Sequence, residues 1–207
     1  MAYSDLQTQI ATWLVRDDLT AQIPQFISLA ENRLNRVLFV PERETVSTST
    51  ATGEKLALPA DFWGMRSIYV DASPRQTLAQ MSLAEMRNQY RFGVTGTPTH
   101  YAIEANELVF APTPATDTNL VLNYWATIPA LSDDAPTNWL LTAYPDLYLA
   151  ASLVEAYVRL RDNDATVVWK ARTDEKISEM LKAGQRKLNG AAPLAPRGAA
   201  NIWRVRA

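Results

Sequence analysis

The sequence has 207 residues, of which 47% are hydrophobic and 20% are charged, and this is the composition of an ordinary globular domain. It contains no cysteine, which excludes disulfides, thiolate metal sites and cysteine nucleophiles. The formal net charge is −2, but residues 180–207 hold six basic side chains and no acidic one, so residues 1–179 carry −8. We therefore do not expect this acidic body to bind DNA without regard to sequence.

Three further expectations follow from the length and composition of the sequence. The first residues lack a basic segment followed by an apolar one, so no secretory signal is expected. No apolar run approaches the 18 residues of a membrane-spanning helix, and we expect no contact with a membrane. A chain of this length buries roughly 70% of its unfolded surface, so its core needs neither a metal nor a disulfide.

An N-terminal helix pair is predicted in residues 1–41. The first helix has an apolar stripe that repeats at helical spacing, and the second begins between Thr20 and Pro24 and ends at Pro41. The short joint between them makes the two helices neighbours. The first stripe is Leu6, Ile10, Trp13 and Leu14; the inner face of the second helix is Ile27, Ala30, Leu34 and Val37, with Glu31, Arg33 and Arg36 expected outside.

A β-rich region is predicted in residues 42–128. Runs of β-branched and alternating residues indicate strands near 45–50, 65–70, 99–104, 107–110 and 119–126. The pair 105–106 is expected to close a hairpin, while 56–62 is predicted to be a connector and 93–98 a loop. Ser82 and Glu85 form a capping box that opens a short helix to about Arg91.

A second helix pair is predicted in residues 129–189. The segment 147–158 is apolar on nearly every face, which is typical of a helix buried on more than one side, either inside a bundle or against another subunit. Residues 162–164 form an N-cap cluster for the last helix, which runs to about Leu188. Its apolar face is predicted to be Ile177, Leu181, Gly184 and Leu188.

Taken together, the elements predict an α+β protein that is mainly a helical bundle of about four long helices, with a β-rich antiparallel insertion. An extended C-terminal arm, residues 190–207, follows the last helix. The arm is rich in Gly, Ala and Pro and is too short to form a core, yet it ends in a cluster of anchor-type side chains. Two interpretations of this arm are open: an element that docks on another chain, or a frayed terminus.

The search for catalytic chemistry finds no recognisable constellation. His100 is the single histidine, on a predicted strand, and no GxSxG motif presents a serine. We interpret His100 as a structural or surface residue. No phosphate-binding glycine loop is present, and residues 162–164 lack the spacing of a calcium loop. No catalytic, cofactor-binding or metal-binding residue is predicted.

The six tryptophans divide into two groups. Trp203 lies in the arm, where no local core forms, and is the best candidate for an intermolecular anchor. The others are predicted to lie in the core or at an interface: Trp13, Trp63, Trp125, Trp139 and Trp169.

Two stretches and a short connector bear a family resemblance. They are DLTAQIPQFISLAENRLNR at 18–36 with VPER at 40–43, then YWATIPALSDDAPTNW at 124–139 continuing through 144–157, and LALPADF at 56–62. Together they resemble the head-to-tail adaptor proteins (connector or head-completion proteins) of tailed bacteriophages. These motifs are structural rather than catalytic.

The resemblance implies a non-enzymatic virion protein of the phage neck, assembled in the host cytoplasm. Such adaptors form a ring, usually of twelve copies, between the portal protein and a tail or tail-nozzle protein, and genomic DNA passes through without sequence-specific binding. In such rings acidic side chains often line the passage, and we hypothesise that the acidic body does so here. A C-terminal arm reaches along the portal.

Two sets of candidate contact residues follow as hypotheses. A ring needs two complementary faces on each subunit, and the apolar helix offers material for one. With the portal as partner, docking is the favoured interpretation of the arm. The proposed portal-docking residues are Arg197, Ile202, Trp203, Arg204, Val205 and Arg206, and the proposed subunit-interface residues are Leu147, Leu149, Leu153 and Tyr157.

Two alternatives remain from the sequence. A carboxylate-based cell-wall hydrolase of a phage particle would turn over glycan and would lose activity on single Asp or Glu changes. A packaging component that binds DNA through the basic tail would retain DNA with a steep salt dependence.

Overall fold

The computed structural model describes residues 1–16, 18–90 and 93–189, and the chain divides into two compact units. The helical unit comprises Met1–Glu42 and the described chain from Pro129 to Asn189, and the β unit is Arg43–Ile128. The described helices are α1 (Tyr3–Leu14), α2 (Ile23–Val37), α3 (Leu83–Gln89), α4 (Trp139–Ala143), α5 (Pro145–Leu160) and α6 (Asn163–Asn189), with 3-10 turns at Thr20–Gln22 and Pro41–Arg43.

The strands form three sheets. One is ordered β1-β10-β3-β4, the second β2-β8-β7-β5, and β6 pairs with β9. The strands are β1 (Glu44–Ala51), β2 (Lys55–Ala57), β3 (Phe62–Val70), β4 (Gln76–Thr77), β5 (Ala79–Gln80), β6 (Thr95–Gly96), β7 (His100–Glu104), β8 (Glu107–Ala111), β9 (Thr113–Pro114) and β10 (Thr118–Ala126).

The predicted fold class is wrong in its emphasis. The described residues form six α-helices and ten strands in three sheets, so the chain is α+β without being mainly a helical bundle. The difference lies in short elements that have no periodicity of their own. Some of these short strands pair with longer neighbours that supply their backbone partners, as β8 does for β2, which overlaps the segment predicted as a connector.

In the helical unit, α5 is the central element. It packs against α1, α2, α4 and α6, and its residues from Leu147 to Ala156 are buried except for two half-buried positions. The prediction that this segment is buried on more than one side is confirmed. Within the α1 stripe, Leu6, Ile10 and Leu14 are buried as predicted, whereas Trp13 is half exposed.

The faces of α2 and α6 required two corrections. Glu31, expected outside, is buried, and Val37, expected inside, is exposed. On α6 the buried positions are Trp169, Thr173, Met180 and Gly184, while the predicted Ile177 and Leu181 are half-buried and line an open groove of about 430 Å³ beside Val37. The α6 stripe is rotated because the Thr173 hydroxyl is satisfied internally by the Trp169 carbonyl, 2.8 Å away, and can face the core.

The β unit encloses its core between its two larger sheets. In the first sheet β10 is central, antiparallel to both β1 and β3. In the second, β7 and β8 form the predicted hairpin, with Ala105 at a positive φ of 54° in the turn. The capping box is confirmed: the Ser82 hydroxyl accepts from the Glu85 amide at 3.2 Å, at the start of α3. The core side chains include Ile68, Tyr101, Leu108, Phe110, Leu120 and Leu122.

Candidate interaction surfaces

The proposed portal-docking residues lie outside the described part of the chain, which ends at Asn189. The subunit-interface residues all lie on α5. Leu147 and Leu153 are buried inside the helical unit, so their side chains hold its own core together. Leu149 and Tyr157 are half-buried and reach the surface. A subunit contact at α5 stays a prediction, and within the set these two residues are the ones that present surface.

A loop at residues 129–138, which we call the acidic loop, is held by a buried polar cluster. The Glu31 carboxylate accepts from the Leu131 backbone amide at 2.9 Å and from the Tyr148 hydroxyl at 3.0 Å. The Asn138 side-chain amide donates to the Pro129 carbonyl and to the Tyr148 hydroxyl, both at 2.7 Å. Buried polar groups are retained where all their partners are in place, so the cluster fixes both ends of the loop.

The electrostatics of this cluster follow from its burial. Removal from water raises the pKa of the Glu31 carboxyl above its ordinary value, and the Leu131 amide and Tyr148 hydroxyl oppose this by donating to the carboxylate. The pKa of Tyr148 is raised strongly, first by burial and then by the adjacent Glu31 charge. Tyr148 therefore remains a hydrogen-bond donor to Glu31 at neutral pH.

The tip of the acidic loop is a tight turn. The Ser132 amide donates to the Ala135 carbonyl at 3.1 Å, and the Ala135 amide donates to the Ser132 hydroxyl at 3.0 Å. Asp133 and Asp134 lie at this tip, both exposed, and neither carboxylate has an ion-pair partner among the described residues. The loop therefore presents two free negative charges on a backbone that is fixed from below.

At the end of α1 the helical unit exposes an apolar surface, which we call the end patch. It consists of Trp13, Val15, Val158, Val167 and Val168, which are between 50% and 86% exposed. They lie at one end of the unit, because the Trp13 ring contacts Trp169 near the start of α6 and the Trp13 carbonyl lies 3.5 Å from the Tyr157 hydroxyl near the end of α5. Exposed apolar side chains grouped in this way are typical of interaction sites.

Two aromatic contacts give the end patch a defined shape. The Trp13 and Trp169 rings meet edge to face, with their centroids 5.2 Å apart. The Arg172 guanidinium lies over the Trp169 ring, 5.1 Å from its centre. Trp13 is thus positioned by a buried partner while half of its own surface faces outward.

The charges around the end patch are mostly positive. Arg159, Arg161, Lys170 and Arg172 are exposed and lie within a few residues of the patch valines and Trp169 in the sequence, and none has a carboxylate partner among the described residues. The described carboxylates at this end are those of Asp18, Asp162 and Asp164; Asp18 is paired with Arg16, and Asp162 accepts from the Ala165 amide at 3.0 Å as the N-cap of α6. An apolar centre with a cationic rim suits an acidic partner surface.

A model of the SU10 adaptor protein family matches residues 1–197, nearly the whole chain. The chain belongs to this family. The resemblance to phage head-to-tail adaptors seen in the sequence is thereby confirmed at the family level, and it supports a structural adaptor protein of a bacteriophage. No curated protein matches the chain.

In this SU10 adaptor family member, the side chains that could support catalysis or metal binding make structural contacts. The His100 Nδ1 atom lies 2.8 Å from the Tyr90 hydroxyl and 2.9 Å from the Thr99 hydroxyl, in a half-buried cluster beside α3. Asp162 caps α6 as predicted. Across the described residues, no group of three or more His, Asp or Glu side chains is arranged to hold a metal ion, and no helix is long and apolar enough to cross a bilayer.

The β unit of the adaptor also holds a cavity of about 460 Å³ between α3 and β8. Its described lining is about equally polar and apolar, with Glu54, Arg87, Tyr90 and Thr113 as polar members. Glu54 is the one carboxylate among the described lining residues. The pair of carboxylates that a glycosidase requires is therefore not brought together in this cavity.

Sequence reasoning missed the Glu31 cluster and the two exposed valines of α6. Glu31 is a charged residue on an amphipathic helix, so the sequence indicates a surface position. Its partners, Leu131 and Tyr148, lie 100 and 117 positions away in the sequence. The pair Val167-Val168 left no clear signal, because adjacent apolar residues can both be buried on one helix, as Leu153 and Val154 are on α5.

Proposed function

We propose that this adaptor is a non-enzymatic virion protein that forms a ring in the phage neck, between the portal protein and a tail or tail-nozzle protein. The observation that carries the proposal is the family match over residues 1–197, which includes both the helical and the β unit. We propose twelve copies, as the resemblance implies, assembled in the host cytoplasm, with genomic DNA passing through the ring without sequence-specific contacts.

The C-terminal arm, residues 190–207, is proposed to dock on the portal. Residues 202–206 combine Ile, Trp and Val with two arginines, the residue types in which binding energy concentrates. The arm follows directly on α6, whose last turn carries Arg186 and Lys187. Ordering the arm costs conformational entropy, which burial of Trp203 and pairing of its arginines with acidic portal groups would offset.

Deletion of residues 191–207 tests this role. We expect the truncated subunit to keep its folded helical and β units, as measured by circular dichroism and thermal unfolding, but to lose co-migration with the portal on size exclusion and native mass spectrometry. Trp203→Ala should weaken binding, while Leu194→Ala in the same arm serves as the matched control. Undiminished portal binding by the truncated protein would contradict the docking role.

The ring itself is tested separately by the mass of the complex. Full-length protein mixed with the portal of the same phage should add a fixed number of copies, twelve on our proposal. A single copy bound per portal subunit without contacts between adaptors would contradict the ring. DNA retention that falls steeply with salt would favour the packaging alternative instead.

A further inference from the structure

The end patch and the acidic loop lie at opposite ends of the helical unit. At one end the Tyr3 amide, at the start of α1, donates to the Pro136 carbonyl of the loop at 2.8 Å. At the other end the Tyr157 hydroxyl lies 3.5 Å from the Trp13 carbonyl. Helices α1 and α5 therefore run side by side in the same direction, and about 15 Å of helix separates the two surfaces.

The two ends are complementary in charge. The loop end presents Asp133 and Asp134, with no cation paired to either within the described chain. Among the described residues at the patch end, four basic side chains (159, 161, 170 and 172) outnumber the carboxylates of Asp162 and Asp164, and Arg16 and Asp18 form an ion pair at 2.7 Å. Each surface therefore has the charge that the other one attracts.

We propose that the end patch of one copy receives the acidic loop of a second copy. The contact rests on the proposed ring and deepens it, because it names the two faces of the repeated interface. Since patch and loop are different surfaces, the contact is heterologous, and heterologous contacts generate rings when the rotation between copies closes. The exposed Ala135 and Pro136 at the loop tip would cover the valines, while Asp133 and Asp134 meet the arginines.

The Glu31 cluster gives this contact an energetic advantage. A loop that must be ordered on binding loses part of the interaction free energy to conformational entropy. Here the Leu131 amide and the Pro129 carbonyl are already held by Glu31 and Asn138 in the single chain. The loop can therefore bind with its shape already formed.

Cysteine cross-linking tests the contact directly, because the chain has no cysteine of its own. The double variant Val168→Cys with Asp134→Cys, assembled on the portal and oxidised, should give a ladder of covalent multimers on non-reducing gels. The two Cβ atoms must approach within about 4.5 Å for a disulfide to form. Each single variant should give no ladder, and dimers from Val168→Cys alone would indicate a patch-to-patch contact and overturn the proposal.

Charge reversal supplies a second, reciprocal test. Arg159→Glu with Arg161→Glu should weaken assembly between copies by about tenfold or more, and Asp133→Lys with Asp134→Lys should do the same. Mixing the two variants should partly restore assembly, since each supplies one reversed face to the other. Lys182→Glu, an exposed reversal elsewhere on α6, is the matched control and should leave assembly unchanged.

The outcomes separate this contact from the proposed function. If wild-type protein forms a ring on the portal but neither pair of reversals weakens it, the contact is overturned and the ring stands. If wild-type copies never contact one another on the portal, both fail. Occupation of the end patch by the portal, seen as a cross-link from Val168→Cys to a portal cysteine, would also overturn the contact between copies.

Discussion

The Tyr148 hydroxyl of α5 donates a hydrogen bond to the Glu31 carboxylate of α2, 3.0 Å away, in the interior of the helical unit. The same carboxylate oxygen also accepts from the Leu131 amide. A single buried acidic group thus joins two helices to the acidic loop.

The buried Glu31 carboxyl should make stability depend on pH. Its folded-state pKa is raised above the ordinary 4.5, first by burial, so between these two values the folded chain holds a proton that the unfolded chain releases. The free energy of unfolding should therefore fall as pH rises from 4.5 through the raised pKa. Glu31→Gln should remove this slope in denaturant titrations at a series of pH values; an unchanged slope would show that other groups cause it.

Removing the acceptor altogether should be more damaging. Glu31→Ala leaves the Leu131 N–H and the Tyr148 O–H without an acceptor, and each unsatisfied buried donor costs about 1 to 3 kcal/mol. We expect a loss of about 2 to 4 kcal/mol in the free energy of unfolding, together with faster amide exchange at Leu131. Exchange at Leu131 as slow as in wild type would mean that Glu31 does not hold the loop.

Val15 should be a site where glycine stabilises the protein. It caps α1 in the left-handed region, with φ at 52°, which β-branched residues seldom adopt. Val15→Gly should relieve this strain and raise the free energy of unfolding by about 1 kcal/mol. Val158→Gly is the matched control on the same end patch: it lies in the right-handed helix α5 and should lose about 0.5 to 1 kcal/mol. Equal effects of the two substitutions would contradict the strain.

Gly184 of α6 should not tolerate a side chain. A Cβ placed there would lie 2.9 Å from Cδ of Pro41, a ring atom with little freedom to move. Although alanine favours a helix by about 1 kcal/mol, we expect a net loss of about 1 to 2 kcal/mol for Gly184→Ala from the crowding. Gly53→Ala, where no heavy atom lies within 4 Å of the new Cβ, should change thermal unfolding very little. Stabilisation by Gly184→Ala would refute the close approach.

In the β unit, the Tyr124 hydroxyl donates to the Asp61 carboxylate at 2.8 Å. Burial first, and then Asp61, raises the pKa of Tyr124 to about 12, so the folded chain keeps this proton between pH 10 and 12 while the unfolded chain releases it. Stability should fall as pH rises through that window. Tyr124→Phe should cost about 1 kcal/mol at pH 7 and flatten this alkaline slope, whereas Tyr69→Phe, on the opposite face of the same sheet, should leave it in place.

The sequence predicts what local chemistry determines. The capping box at Ser82, the hairpin at 105–106 and the burial of α5 are all confirmed, because each depends on residues within one or two turns of chain. Glu31 and the two-residue strands were missed because their partners are remote in sequence. The predicted apolar face of α6 was wrong for a related reason. Thr173 is a polar residue, but its hydroxyl donates to a carbonyl of its own helix, so its side chain can be buried.

The candidate surfaces were predicted less completely than the fold. The nearly uniform apolarity of 147–158 drew attention to α5, yet two of the four residues chosen there are core side chains. The end patch combines the ends of three helices, and no single segment contains its pattern. The end patch forms only where the ends of these three helices lie side by side.

The helical unit is discontinuous in sequence, and this has a consequence for synthesis. Helix α2 ends at Val37, but α5, which covers its apolar face, begins only at Pro145. At about 5 to 20 residues per second, a ribosome needs roughly 5 to 20 s to make the intervening chain. During that interval the first two helices have left the ribosome with their inner faces uncovered. The β unit, which lies between α2 and α5 in the sequence, can already fold. The order of folding in the cell is therefore expected to run from the middle of the chain outward.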